Sequence, residues 1–286
     1  MANNVNPPPS GQTFDWRQFK DWFFKLWNSF KNLTFGIDAT SYSAAIAKTM
    51  ASDGMIPIFY GGGITSITLG AGLLNIQMFT SGGTYNPTPG TTSIIVEVMG
   101  AGSGASSAPA SGSGQSSSGF PGYSGSYARV YMKSVPSGVT VTVGTGGSGG
   151  TGGGAGSAGG TSSFGSFVSC PGGASISGGG TSSIVTTNST AGPGSSAPTI
   201  SNVTLTLTSF AGSGGFIVFG GGTSFASTQG GPSPLGMSYC TSGNNAGYNA
   251  QGYGAGGGCG GNYQANQPAE SGGNGGNGVV IVYEMK

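Results

Sequence analysis

The apolar positions of this chain keep one period up to about residue 53 and another beyond it. Trp16, Phe19, Phe23, Leu26, Phe30 and Leu33 alternate spacings of three and four, the a/d stripe of an amphipathic helix in a short coiled coil. Thr13 or Asp15 stands where the first turn needs a cap, and Gly36 follows the last. Trp22 and Trp27 flank the stripe and widen the apolar face. So wide a face suits a bundle of three or more helices, or docking into a groove, better than a two-stranded seam. The competing reading is a helix lying on a membrane, because Arg17, Lys20, Lys25 and Lys31 accompany the tryptophans. Asp15 and Asp21 dilute that charge and the heptad spacing is regular, so oligomerisation or docking is the expectation for 14–35. Residues 40–52 read as a short second helix with small residues on one side.

After Asp53-Gly54 the pattern turns strand-like. Apolar pieces occur at Ile64–Leu69, Leu73–Thr80, Thr92–Met99, Tyr127–Lys133, Val139–Val143, Val203–Leu207, Phe216–Phe219 and Val279–Tyr283. Val139, Val141, Val143 and Val203, Leu205, Leu207 alternate with threonine, which predicts sheets with one buried face. Ile94–Val98 and Val279–Tyr283 are nearly continuous apolar runs: central strands, or strands buried at a subunit contact.

Between these pieces glycine recurs every third position. Gly144, Gly147, Gly150, Gly153, Gly156 and Gly159 form one track, with Gly146, Gly149 and Gly152 beside it. Shorter tracks run through Gly119, Gly122, Gly125; Gly254, Gly257, Gly260; and Gly272, Gly275, Gly278. Three residues per turn is the period of the polyproline-II helix, where glycine permits close packing along one edge. Unstructured stretches beyond about 15 residues are uncommon in compact domains. These are therefore expected to be packed polyglycine-II helices and binding loops. The fold class read from the pattern is mainly β: an N-terminal amphipathic helix, then an antiparallel β domain with packed polyglycine-II helices and long Gly-rich loops.

Composition sharpens the boundary. Of 62 glycines only Gly11 and Gly36 precede Gly54, whereas nine of the fifteen charged residues lie within 1–53. The remaining charges are Glu97, Arg129, Lys133, Glu270, Glu284 and Lys286. This divides the chain into a flexible Pro-rich tail (1–13), a docking helix (14–35), a connector (36–75) and a Gly-rich tip (76–286). A net charge of +1 without a basic run argues against a nucleic-acid partner. No run of about 18 apolar residues offers a membrane span, and the first residues lack the charged and apolar regions of a secretory signal. Synthesis in a cytoplasm without export is the expectation.

Histidine is absent from the whole chain, which removes Ser-His-Asp and Cys-His catalysis and most zinc sites. Cys170, Cys240 and Cys259 have no metal-ligand spacing. Cys240 and Cys259 bracket one loop, but a reducing site of synthesis favours unpaired thiols. No phosphate-loop motif occurs. Glycan cleavage needs two carboxyl groups across one bond, and Glu97 and Glu284 sit in strands as surface or interface charges. No catalytic residue, metal or cofactor is expected. The better signal is aromatic: Phe120 and Tyr123 in Ser-Gly-Phe-Pro-Gly-Tyr-Ser-Gly, and Tyr239, Tyr248, Tyr253 and Tyr263 around the Cys240–Cys259 stretch. Rigid rings flanked by small polar residues supply contact area at low entropic cost. Their competing role is to cover the glycine segments and fill gaps.

Certain motifs carry a resemblance. Phe79-Thr80-Ser81-Gly82-Gly83-Thr84-Tyr85-Asn86-Pro87 followed by Ser93–Val98 resembles the opening of Gly-rich bacteriophage tail-fibre and adhesin domains. Val139–Gly144 leading into the glycine tracks, then Gly159–Gly165, is similar to them as well, and Gly272–Val282 resembles their closing segment. The resemblance covers 76–286. It implies a virion protein whose loops, set between stacked polyglycine-II helices, bind a bacterial surface receptor, either a glycan or an outer-membrane protein. Together with the 14–35 stripe it leads to an expected homotrimer attached to other virion proteins through its N-terminal segment. The short helix departs from the long shaft of a fibre and leaves attachment to tail, another fibre or capsid open. The alternative is a purely structural virion component, such as a capsid decoration fibre or connector.

Overall fold

The computed structural model describes residues 56–60, 63–67, 72–182, 188–190, 194–219, 226–239 and 243–286. The 14–35 stripe and Cys240 lie outside the described residues. Those described form twenty strands and no helix, in two units divided after Gly72. In the first unit β1 (Ile56–Tyr60) and β2 (Gly63–Ile67) make an antiparallel hairpin. The second carries β3 (Leu73–Phe79), β4 (Gly83–Tyr85), β5 (Ser93–Met99), β6 (Ser116–Ser118), β7 (Tyr127–Met132), β8 (Val139–Thr142), β9 (Ser162–Phe164) and β10 (Val168–Cys170). It continues with β11 (Gly180–Ser182), β12 (Asn188–Thr190), β13 (Thr199–Ile200), β14 (Leu205–Phe210), β15 (Phe216–Phe219) and β16 (Ala226–Gln229). Last come β17 (Leu235–Met237), β18 (Gln251–Tyr253), β19 (Gly261–Asn262) and β20 (Val279–Met285).

Two antiparallel five-stranded sheets, β14-β7-β5-β20-β3 and β13-β10-β9-β8-β4, enclose the main core. Ile94, Val96 and Val98 from β5, Ala128 and Val130 from β7, and Val280 and Val282 from β20 form one wall. Tyr85, Val141, Phe164, Val168 and Cys170 form the other, with the Tyr85 and Phe164 rings 5.4 Å apart. The two apolar runs read as central strands or subunit contacts are the interior strands β5 and β20, which pair directly. Val139 and Val141 are buried and Thr140 and Thr142 exposed, as one-sided alternation requires.

At one end the strands run straight on into the glycine segments. Residues 100–108 follow β5, 119–126 lead into β7, 144–150 follow β8, 154–160 lead into β9, 171–176 follow β10 and 270–278 lead into β20. Around 100–108 the backbone bonds to a different neighbour at each step. The N–H groups of Ala101, Gly104 and Ser107 donate to the carbonyls of Gly160, Ser157 and Gly154. Those of Gly102, Ala105 and Ala108 donate to Gly276, Gly273 and Glu270; those of Ser103 and Ser106 donate to Tyr123 and Phe120. Three further segments donate inward, Gly147 to Gly102, Gly173 to Ala101 and Gly257 to Ser103. One extended segment therefore has six neighbours, three taking its protons and three supplying them. A strand in a sheet has at most two.

The glycine tracks pair with one another. Gly119, Gly122 and Gly125 donate to Gly260, Gly257 and Gly254, and Gly272, Gly275 and Gly278 donate to Gly150, Gly147 and Gly144. Glycine is needed because the backbones touch: a Cβ on Gly102 would lie 1.9 Å from the Ala255 carbonyl oxygen. The long track at 144–159 is not one rod. It folds back at Gly152 and Gly153, whose positive φ values of 61° and 85° close the turn, so that Ser157 and Gly160 donate to Ser148 and Thr145.

Two sequence expectations are corrected. All six residues of β14 are exposed, so the Val203–Leu207 alternation does not mark a buried face; β14 is an edge strand. Glu97 and Glu284 are buried, so of the two roles expected of them, surface or interface charge, the exposed surface one is corrected. Glu97 pairs with Arg129 on the neighbouring strand at 3.2 Å. Glu284 accepts bonds from the Gln77 amide, the Tyr85 hydroxyl, and the N–H and hydroxyl of Thr88.

Candidate functional site

The six aromatic residues singled out in the sequence divide by environment. Tyr239 and Tyr248 are 58% and 54% exposed, with ring centroids 6.4 Å apart and planes at 78°. Their backbones sit on the glycine segments. The Tyr248 carbonyl accepts the Gly258 N–H, and a Cβ on Gly258 would lie 3.3–3.4 Å from the Tyr239 and Tyr248 main chains. On either side of Tyr248, Gly247 donates to Ser271 and Ala250 to Asn274. Beside Tyr239, the Ser238 hydroxyl accepts the Gly230 N–H at 2.6 Å. The edge-to-face pair thus stands on backbone fixed from below and is open above.

Phe120 is exposed as well, on the 119–126 segment, with its N–H held by the Ser106 hydroxyl. The other three rings have structural work. Tyr123 lies over Gly194 so closely that a Cβ there would enter the ring. Tyr253 packs with Leu235 onto Met99, Tyr127 and Val279. Tyr263 turns its hydroxyl inward against Gly261, where it has no hydrogen-bond partner and burial pushes its pKa up to about 12.

Polar residues that the sequence reading passed over shape the loops beside the pair. The Asn244 side chain accepts the N–H groups of Tyr263 and Gln264 and donates to the Gln264 amide at 2.9 Å. Asn262 is fully buried and its amide donates to the Pro109 and Pro268 carbonyls and to the Ser117 hydroxyl. The Asn/Gln content of 244–267 was a visible signal of such turns. Within 194–278 the only described ionisable charge is Glu270. No protein-family model matches the chain, and no curated protein is similar to it in sequence.

The surface around Tyr239 and Tyr248 offers two aromatic faces, amide and hydroxyl groups, and little charge. Such a surface can stack on the C–H face of a sugar or on an apolar side chain while hydrogen-bonding its neighbours.

Proposed function

We propose that this chain is a bacteriophage virion protein, a tail fibre or adhesin, whose 76–286 tip binds a host-surface receptor, a glycan or outer-membrane protein, through its Gly-rich loops. The glycine segments are read as packed polyglycine-II helices, on the strength of their three-residue alternation of hydrogen-bonded neighbours. The 14–35 segment is read as the attachment and oligomerising element, giving a homotrimer carried on the particle without nucleic acid, metal or enzymatic activity. The observation that carries the receptor reading is the exposed Tyr239–Tyr248 pair, with the Tyr248 backbone hydrogen-bonded to the glycine segments beneath it. Rings fixed before contact lose little entropy on binding, and several tips on one particle multiply a modest single-site affinity.

The test is binding of fluorescently labelled full-length chain to a panel of bacterial strains. Strain-selective binding is expected, with Tyr239→Ala/Tyr248→Ala weakening it at least about tenfold, or 1.4 kcal/mol. Tyr263→Phe, which removes only a buried hydroxyl, leaves it unchanged. A folded wild-type chain that binds no strain sinks the receptor reading and favours a purely structural component such as a capsid decoration fibre or connector.

A further inference from the structure

We propose that the outer face of the β14-β7-β5-β20-β3 sheet is a contact between copies of this chain. Strand register places the residues of this face in rows. One row runs Ile76, Tyr283, Ile95, Tyr131, Leu205 across all five strands, without a polar side chain other than the two phenols. The next runs Met78, Ile281, Glu97, Arg129, Thr208. A third, Val279, Met99, Tyr127 and Phe210, is sealed in part by the chain itself, through Leu235 and Tyr253 of the β17–β18 hairpin. The first two rows have no such cover among the described residues of the Leu73–Lys286 unit. Ile76, Met78 and Leu205 are 48%, 50% and 55% exposed.

The chemistry of the face matches a second copy. Over the two open rows, five strands about 4.8 Å apart and four residues of about 3.4 Å each give a plan area on the order of 330 Å². A pleated surface has more accessible area than plan area, and a patch of this size fits a small contact between copies, below the roughly 800 Å² per partner of a standard stable complex. The charge on it is balanced: Glu97 and Arg129 lie side by side, and Arg129 is half open to the outside. Two such faces opposed about a two-fold axis through that row, one on a copy in each of two trimers, set each arginine towards the other copy's carboxylate and leave the apolar rows to close around them. Both edge strands, Leu-Leu-Asn-Ile-Gln-Met-Phe and Leu-Thr-Leu-Thr-Ser-Phe, also lack the charges and prolines that guard an edge left in water.

The full chain is followed by sedimentation for mass and by hydroxyl-radical oxidation of Met78 for cover. The wild type is expected to sediment as a larger assembly than Ile76→Glu/Leu205→Glu, so that the comparison reads this face and not the 14–35 segment. Its Met78 should oxidise about tenfold more slowly than in Ile76→Glu/Leu205→Glu, whose copies part at this face. Thr140→Glu, an exposed position on the opposite sheet, serves as the charge control and keeps wild-type protection; circular dichroism confirms that each variant is folded. Equal oxidation in wild type and double variant overturns the proposal. So does a monomeric wild type, or a protected Met78 in a monomer, which assigns the cover to another part of the same chain. Strain binding has no bearing on any of these outcomes.

Discussion

Glu284 places a fully buried carboxylate at the rim of the sandwich with no cation among its hydrogen-bond partners. Burial works to raise its pKa, but the hydroxyl and N–H of Thr88, the Tyr85 hydroxyl and Asn75 outweigh it, and the net shift is downward. A carboxylate held below its unfolded value of about 4.3 stabilises the fold above that pH and loses the contribution as pH falls through the folded value. Urea midpoints should therefore drop from pH 5 to pH 3 more steeply in the wild type than in Glu284→Gln. Glu284→Ala strands the Tyr85, Thr88 and Gln77 donors and is expected to cost about 2–4 kcal/mol at pH 7. An unchanged midpoint would show those groups finding water instead. None of this was legible beforehand: Glu284 reads as one charge at the end of a nearly continuous apolar run, and the donors facing it come from residues about 200 positions away in sequence. The tyrosines divide for the same reason. Each reads as a ring among glycines, and only the neighbours supplied by folding separate exposed Tyr248 from Tyr263 with its buried hydroxyl.

At the scale of elements, the glycine segments hang on a balance of small terms. Each glycine costs about 0.5–1 kcal/mol more to order than alanine, close to the net gain of about 0.5–1.5 kcal/mol from one hydrogen bond. The segments thus roughly break even, and the sandwich core behind them, with buried side chains worth about 1.5–3 kcal/mol each, decides that they order at all. A methyl group placed in a segment tips the balance. Gly102→Ala is expected to destabilise by about 3 kcal/mol or more, whereas Gly180→Ala, with nothing within 4 Å of the new carbon, stays within about 0.5 kcal/mol. Thermal melts of the two variants check the contrast. The segments were legible because close approach forces a period of three on the sequence. Which segment bonds to which was not, because backbone groups carry no residue-specific label. One partial label exists: the asparagines of Gly-Gly-Asn-Gly-Gly-Asn, where Asn277 and Asn274 accept the N–H groups of Gly146 and Gly149 at 2.8 Å. The second glycine track itself is again a matter of close approach: a Cβ on Gly146 or Gly149 would lie 2.0 Å from the carbonyl oxygen of Gly275 or Gly272.

Taken whole, the Leu73–Lys286 unit gathers segments that are far apart along the chain. The neighbours of 100–108 come from residues 120 to 276, so its environment is complete only when nearly the entire unit has folded. Amides of Ala101 to Ala108 are expected to exchange with solvent only by global unfolding. Those of Gly247 and Ala250, in an outer segment, should exchange through smaller openings. Hydrogen exchange resolved by residue checks this, and similar rates at both places would mean that the inner segment opens alone. Refolding dominated by such non-local pairing is expected to be slow, in the range of milliseconds to seconds or beyond.

The six-neighbour arrangement around 100–108 also has a mechanical meaning. A sheet is tied across its strands in one lateral direction only, and a sideways pull normal to it meets side-chain contacts alone. A bundle bonded towards six sides resists shear from every lateral direction with the same kind of bond. A load applied at the Tyr239–Tyr248 end passes through Gly258 and Gly273 to Ala105 by backbone bonds, and from there into β5, without crossing a rotatable side chain.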